Sequence, residues 1–184
     1  MIGIPPSIQM FAEHFAKYLT PNARASGWQE LETEVRGSGD FMDLVGSLMI
    51  FDMIAAEGRV CRMDITCGDG DKSDIEVRVG GKWRKLNIKT SSYHPYRKGL
   101  NLYVKEEEAD KDIDGYIQVF VHTKSGAGPH VHVSGWVSTS SDVWKEARKD
   151  VIEIPRTGGH KGVRVPVEKL QSIDKMIELV DRKF

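Results

Sequence analysis

The chain has 184 residues, enough for one domain with a real core. Its hydrophobic content of 40% and charged content of 29% are those of an ordinary soluble globular protein, and no apolar run is long enough to span a bilayer. The formal net charge of −1 excludes a protein that coats nucleic acid through bulk charge, but not one that segregates its acids from its bases.

The opening MIGIPPSIQMF lacks the basic start and apolar block of a signal peptide, so a cytoplasmic protein is expected. Pro5 to Leu19 has the pattern of an amphipathic helix opened by a proline pair, with Ile8, Phe11, Phe15 and Leu19 on one face; Pro21 ends it. Residues 1–38 read as an N-terminal helical extension and residues 39–184 as the main domain. Asp40 suits an N-cap for a helix over Phe41 to Ala56, stopped by Gly58 and apolar on most sides, hence buried. Arg59 to Thr66 reads as a strand. Cys61 and Cys67 are too few for a disulfide framework and have no C-x-x-C spacing for zinc, so both are taken as structural thiols.

Ser73 to Ser92, SDIEVRVGGKWRKLNIKTSS, reads as a β-hairpin. Asp74, Glu76 and Arg78 alternate with Ile75, Val77 and Val79. Gly80-Gly81 supplies the positive φ of a two-residue turn. The return strand sets Leu86 and Ile88 against Lys85, Asn87 and Lys89. The hairpin therefore brings acids close to an Asn-x-Lys triplet. A carboxylate, a second oxygen ligand and a lysine can bind a hard cation and handle a water molecule. Charge is segregated around it: Asp64 to Glu76 holds five acids and one lysine, and Lys82 to Lys98 holds six Lys/Arg and no acid.

Downstream, Leu100 to Lys105 is a short strand and Glu106 to Asp112 a charged helical turn or loop. Tyr116 to His122 and His130 to Val137 are strands, and Ser140 or Ser141 caps a helix reaching about Lys149. Val151 to Ile154 and Gly162 to Val167 flank a Gly-rich loop. Lys169 to Arg182 carries an amphipathic stripe of Leu170, Ile173, Ile177 and Val180. The order implies an α/β (or α+β) fold with a central mixed sheet.

Asp74, Gly80-Gly81 and the Leu86-Asn87-Ile88-Lys89-Thr90-Ser91 run together resemble the PD-(D/E)XK nuclease superfamily, most closely the branch whose last motif reads Gln-x-Lys-Thr. Ser73 stands where the family has proline, and Asn87 where it has an acid or Gln. The helix with Asp43 and the strands YIQVFVH and VHVSGWVS extend the resemblance over roughly residues 39 to 170. It implies a restriction-endonuclease-like fold and a nuclease acting on DNA with Mg2+ or Mn2+. Asp74, Asn87, Asp43 and Glu76 would hold the metal, and Lys89 would neutralise charge on the phosphate or orient the attacking water. Lys82, Arg84, Lys85, Tyr93, Tyr96, Arg97 and Lys98 would contact the nucleic acid. A homodimer is compatible with this reading, and a membrane partner is not.

Blander readings stand beside these. Asp74 is otherwise a solvated strand-start Asp, Glu76 a surface glutamate, Asp43 a helix N-terminal acid, Asn87 a turn-side hydrogen-bonder and the basic run a solvated loop. Asp69, Asp71 and Asp74 fail the EF-hand spacing. His130 and His132 share a strand face but lack a third ligand.

Overall fold

The computed structural model describes residues 2–19, 39–63, 73–92, 99–122, 130–154 and 159–183. The long apolar helix and the alternating strands meet first. Helix α1 (Pro6–Leu19) is followed by α2 (Gly39–Ala56), which ends at Gly58 with φ +66°. Strands β2 (Cys61–Met63), β3 (Ile75–Val79) and β4 (Lys82–Ser92) then form an antiparallel set, with Ile75 opposite Leu86 and Val77 opposite Arg84. The turn between β3 and β4 has positive φ at both Gly80 and Gly81. Both of its N–H groups donate to the Asp181 carboxylate at 2.9 Å, which ties the turn to the C-terminal segment.

After β5 (Asn101–Lys105) and the single turn α3 (Glu106–Ala109), the chain returns as β6 (Gly115–His122). This strand lies parallel to β4, with Lys89 beside Gln118. Strand β7 (His130–Ser138) pairs antiparallel with β6, and β1 (Ile2–Gly3) adds the far edge. The mixed sheet order is β1-β7-β6-β4-β3-β2. Ser141 accepts the Trp144 N–H and caps α4 (Asp142–Ala147). A second sheet follows, in the order β5-β9-β8, from β8 (Ile152–Glu153) and β9 (Lys161–Pro166). The last helix is α5 (Ile173–Leu179).

One face of the mixed sheet carries Ile75, Val77, Leu86, Ile88, Ile117, Val119 and Val121, packed with Phe41, Val45, Ile50 and Ile54 of α2 and Ile173, Met176 and Ile177 of α5. Ile4 and Ala12 belong to the same core, so residues 2–13 pack on the sheet that the rest of the chain builds. The opposite face carries Tyr116 and Val137 against Leu102, Val104, Val163 and Val165 of the second sheet, with Tyr116 stacked on Trp144 at 4.8 Å. Among the described residues no helix is long and apolar enough to cross a membrane.

Three local expectations change. Phe11 is 39% exposed, because the inward stripe of α1 runs through Ile8 and Ala12, one turn apart. The strand after Gly58 begins at Cys61 and not at Arg59, and the rest of its expected span falls in residues 64–72, which lie outside the described set. The last helix begins only at Ile173. Gln171 exchanges both backbone hydrogen bonds with Trp136 at 2.9 Å, which keeps the chain extended there and leaves Leu170 to the second core.

Gly46 is where α2 touches β4 most closely. A Cβ there would lie 2.5 Å from Thr90 Cγ2. Gly46→Ala should therefore lower stability by about 1–3 kcal/mol through overpacking, more than the roughly 1 kcal/mol of helix propensity it gains. Urea denaturation measures this, and a stabilised variant would show that the helix-to-strand contact is loose.

Candidate functional site

At the open end of the β3–β4 pair, Asp74 continues the ladder with its side chain. Its N–H donates to the Leu86 carbonyl at 3.1 Å, and its Oδ2 accepts the Ile88 N–H at 2.6 Å. The carboxylate thus lies across the strand from Asn87, between the two residues that flank it. Asn87 is 8% exposed, and its Oδ1 is buried without a hydrogen-bond partner. Such an orphan acceptor costs about 1–3 kcal/mol. Burial of Ile75, Val77, Leu86 and Ile88 on the other face stabilises by roughly 1.5–3 kcal/mol each and more than offsets it.

Burial pushes the Asp74 carboxyl above the ordinary carboxylate range. The Ile88 N–H and the Lys89 charge oppose that shift, while the charges of Asp43 and Glu108 add to it. Asp74, Lys89, Asp43 and Glu108 therefore share one electrostatic field. Thr90, on the α2 side of β4, donates its hydroxyl to Asp43 Oδ1, so the α2 acid is docked on the same strand. Lys89 Nζ is paired with Glu108 Oε2 at 2.6 Å.

The other expected site residues go elsewhere. Glu76 is paired with Arg62 of β2, whose guanidinium also lies 4.2 Å from the centre of the Trp83 ring. Arg84 pairs with Asp114 at 3.0 Å and Lys85 with Asp112 at 2.9 Å. The Lys85 ammonium is raised by its hydrogen bond to Asp112, whose carboxyl is lowered in turn. The run is free of acids in sequence, but the segment entering β6 supplies them in space. Lys82 is exposed on the same strand. Tyr93, Tyr96, Arg97 and Lys98 lie outside the described residues. Cys61 is a free thiol raised by burial, and Cys67 lies outside the described set.

Two residues near the site have no obvious sequence signal. Glu108 sits in an acidic triplet that reads as a solvated turn. Gln118, 1% exposed and beside Lys89 in register, donates its amide to the Val119 carbonyl at 3.1 Å, where the β6–β7 pairing is bulged. A fully buried Gln inside YIQVFVH is the one hint the sequence offers.

Among the described residues, no three His, Cys, Asp or Glu side chains converge where they could hold a metal ion. The site offers one carboxylate and one amide oxygen. That set suits a cation such as Mg2+, which is usually held by one or two carboxylates with water and substrate phosphates completing its shell. No family model matches the chain, and no curated protein or solved structure matches it either.

The raised Asp74 carboxyl sets a pH dependence. Folded Asp74 binds its proton more tightly than unfolded Asp74, so the stability it contributes is full at low pH and is lost as pH rises through its elevated folded value. Without divalent cation, Asp74→Asn should melt above wild type at neutral pH, and the gap should close below about pH 3.5. Mn2+ at about a hundred times its Kd should then add about 2.7 kcal/mol to wild type and much less to the variant. Equal Mn2+ responses would place any cation site elsewhere.

Proposed function

We propose that the chain is a metal-dependent nuclease that hydrolyses DNA phosphodiester bonds, with a restriction-endonuclease-like core. The observation that carries this reading is the unpartnered Asn87 Oδ1, buried across the strand from Asp74 and two residues before Lys89. A buried acceptor without a protein partner is one that a water molecule or an ion can fill, and here it lies across from a carboxylate.

Asp74 and Asn87 Oδ1 would hold Mg2+ or Mn2+, with Asp43 contributing charge from α2. Glu76 is engaged by Arg62 and stands outside that set. When bound, the cation would polarise the phosphate and lower the pKa of a water molecule. Lys89 offers three N–H donors, one of them engaged by Glu108. The remaining two can stabilise charge developing on the phosphate oxygens or orient the attacking water. The Ile88 N–H holds one Asp74 carboxylate oxygen at 2.6 Å, which leaves the other as the candidate cation ligand. Lys82, Arg84 and Lys85 would meet the DNA backbone by exchanging Asp112 and Asp114 for phosphates. Such exposed pairs give way readily to a stronger anion.

A second reading is a catalytically weak or silent DNA-binding module. The neutral amide at Asn87 and the lack of a three-acid cluster among the described residues favour it. Incubation with linear, circular, single-stranded and branched DNA separates the two. The nuclease reading expects cleavage with Mg2+ or Mn2+, none with EDTA, and none by Asp74→Ala. Asn87→Asp should lower the metal concentration for half-maximal activity, because it adds a charge beside a divalent cation. Salt-sensitive DNA binding without cleavage under any metal condition supports the silent module. Cleavage that persists in EDTA excludes the metal mechanism.

A further inference from the structure

The second sheet delivers one side chain to the proposed site. Strand β5 runs directly into α3, so the pairing of β5 with β9 sets where Glu108 stands. The turn is clamped on its other sides as well. Tyr116, fully buried in β6 and with its phenol pushed up to about 12 mainly by burial, donates to the Glu108 carbonyl at 2.8 Å. Arg148, just after α4, donates to the Ala109 carbonyl at 3.3 Å and pairs with Asp110 at 2.5 Å. Glu108 is thus carried on a braced backbone and not on a loose acidic loop. Its carboxylate meets Lys89 Nζ at 2.6 Å, with side-chain exposures of 25% for Glu108 and 22% for Lys89.

We propose that Glu108 is the positioning residue for Lys89, holding the lysine ammonium beside the Asp74–Asn87 pair in the orientation that phosphodiester hydrolysis requires. This rests on the nuclease reading. A lysine has four rotatable bonds and a compact charge, so it needs a partner to stand in one place. The strand supplies its direction, since Lys89 is in register with Gln118 of β6. Glu108 supplies the end point. The ion pair also keeps the lysine head close to where the phosphate would bind. Glu108 is assigned to positioning and not to the cation because its carboxylate is engaged by Lys89 at 2.6 Å. The second sheet then has a role beyond packing: it sets the reach of one side chain across from the hairpin.

The test compares wild type with Glu108→Gln, Glu108→Asp, Lys89→Met and the Lys89→Met/Glu108→Gln double variant. Steady-state cleavage with Mn2+, calorimetric Mn2+ binding, DNA affinity and metal-free melting are measured on each. Glu108→Gln should lower kcat on the order of a hundredfold, the cost of misplacing a catalytic group by about 1 Å, with KM for DNA and Mn2+ affinity unchanged. Glu108→Asp should recover part of the loss. In the Lys89→Met background, Glu108→Gln should have no further effect on kcat, and metal-free melting should show the two substitutions coupled. Wild-type kcat in Glu108→Gln would overturn the positioning role while leaving the nuclease reading intact. Loss of Mn2+ affinity would make Glu108 a ligand and overturn it too, as would equal kcat losses in both backgrounds. A wild type that cleaves no DNA under any metal condition would remove both the reading and the inference.

Discussion

The hydrogen bond from the Ile88 N–H to Asp74 Oδ2, 2.6 Å long, is the contact on which the site depends. It extends the β3–β4 ladder by one side chain where the β3 backbone has ended. In doing so it draws a carboxylate partly out of water next to Asn87, and that desolvation raises the carboxyl. The same strand holds Lys89 for Glu108 on one face and Thr90 for Asp43 on the other. Strand β4 is therefore the element that α2, the residue leading into β3 and the turn α3 each address with an acid. An eleven-residue strand, the longest among the described residues, has room for all three.

Such an arrangement is costly for a fold that only needs to be stable. A half-buried carboxylate, an orphan amide oxygen and a half-buried lysine stand within three register positions of one another. The apolar face of the same hairpin, sealed by α2 and α5, tolerates that cost. Local conflict of this kind, supported by consistent packing around it, is where a functional site is expected.

The hairpin was legible because alternation and Gly-Gly are both local signals. So were the buried α2, the YIQVFVH strand and the Ser141 cap. Glu108 was not, because its approach to Lys89 depends on the parallel pairing of β4 with β6 and on the pairing of β5 with β9, neither of which leaves a local pattern. The same topology hides the neutralisation of Arg84 and Lys85 by Asp114 and Asp112. Composition along the chain cannot show acids that arrive from another strand. The shortened last helix has a similar cause: the Gln171–Trp136 bridge overrides a stripe that looked helical from Leu170 onward. The Arg62–Glu76 pair arises from register between β2 and β3, and it removes one acid that spacing alone placed at the site.

The central claim is that Asp74 and Asn87 together hold a divalent cation. A crystal grown in Mn2+ with anomalous data tests it directly. The account predicts a peak about 2.0–2.4 Å from both an Asp74 carboxylate oxygen and Asn87 Oδ1, as hard-cation coordination requires. A structure with no peak there, in which Asn87 Oδ1 accepts an ordinary hydrogen bond, would contradict it.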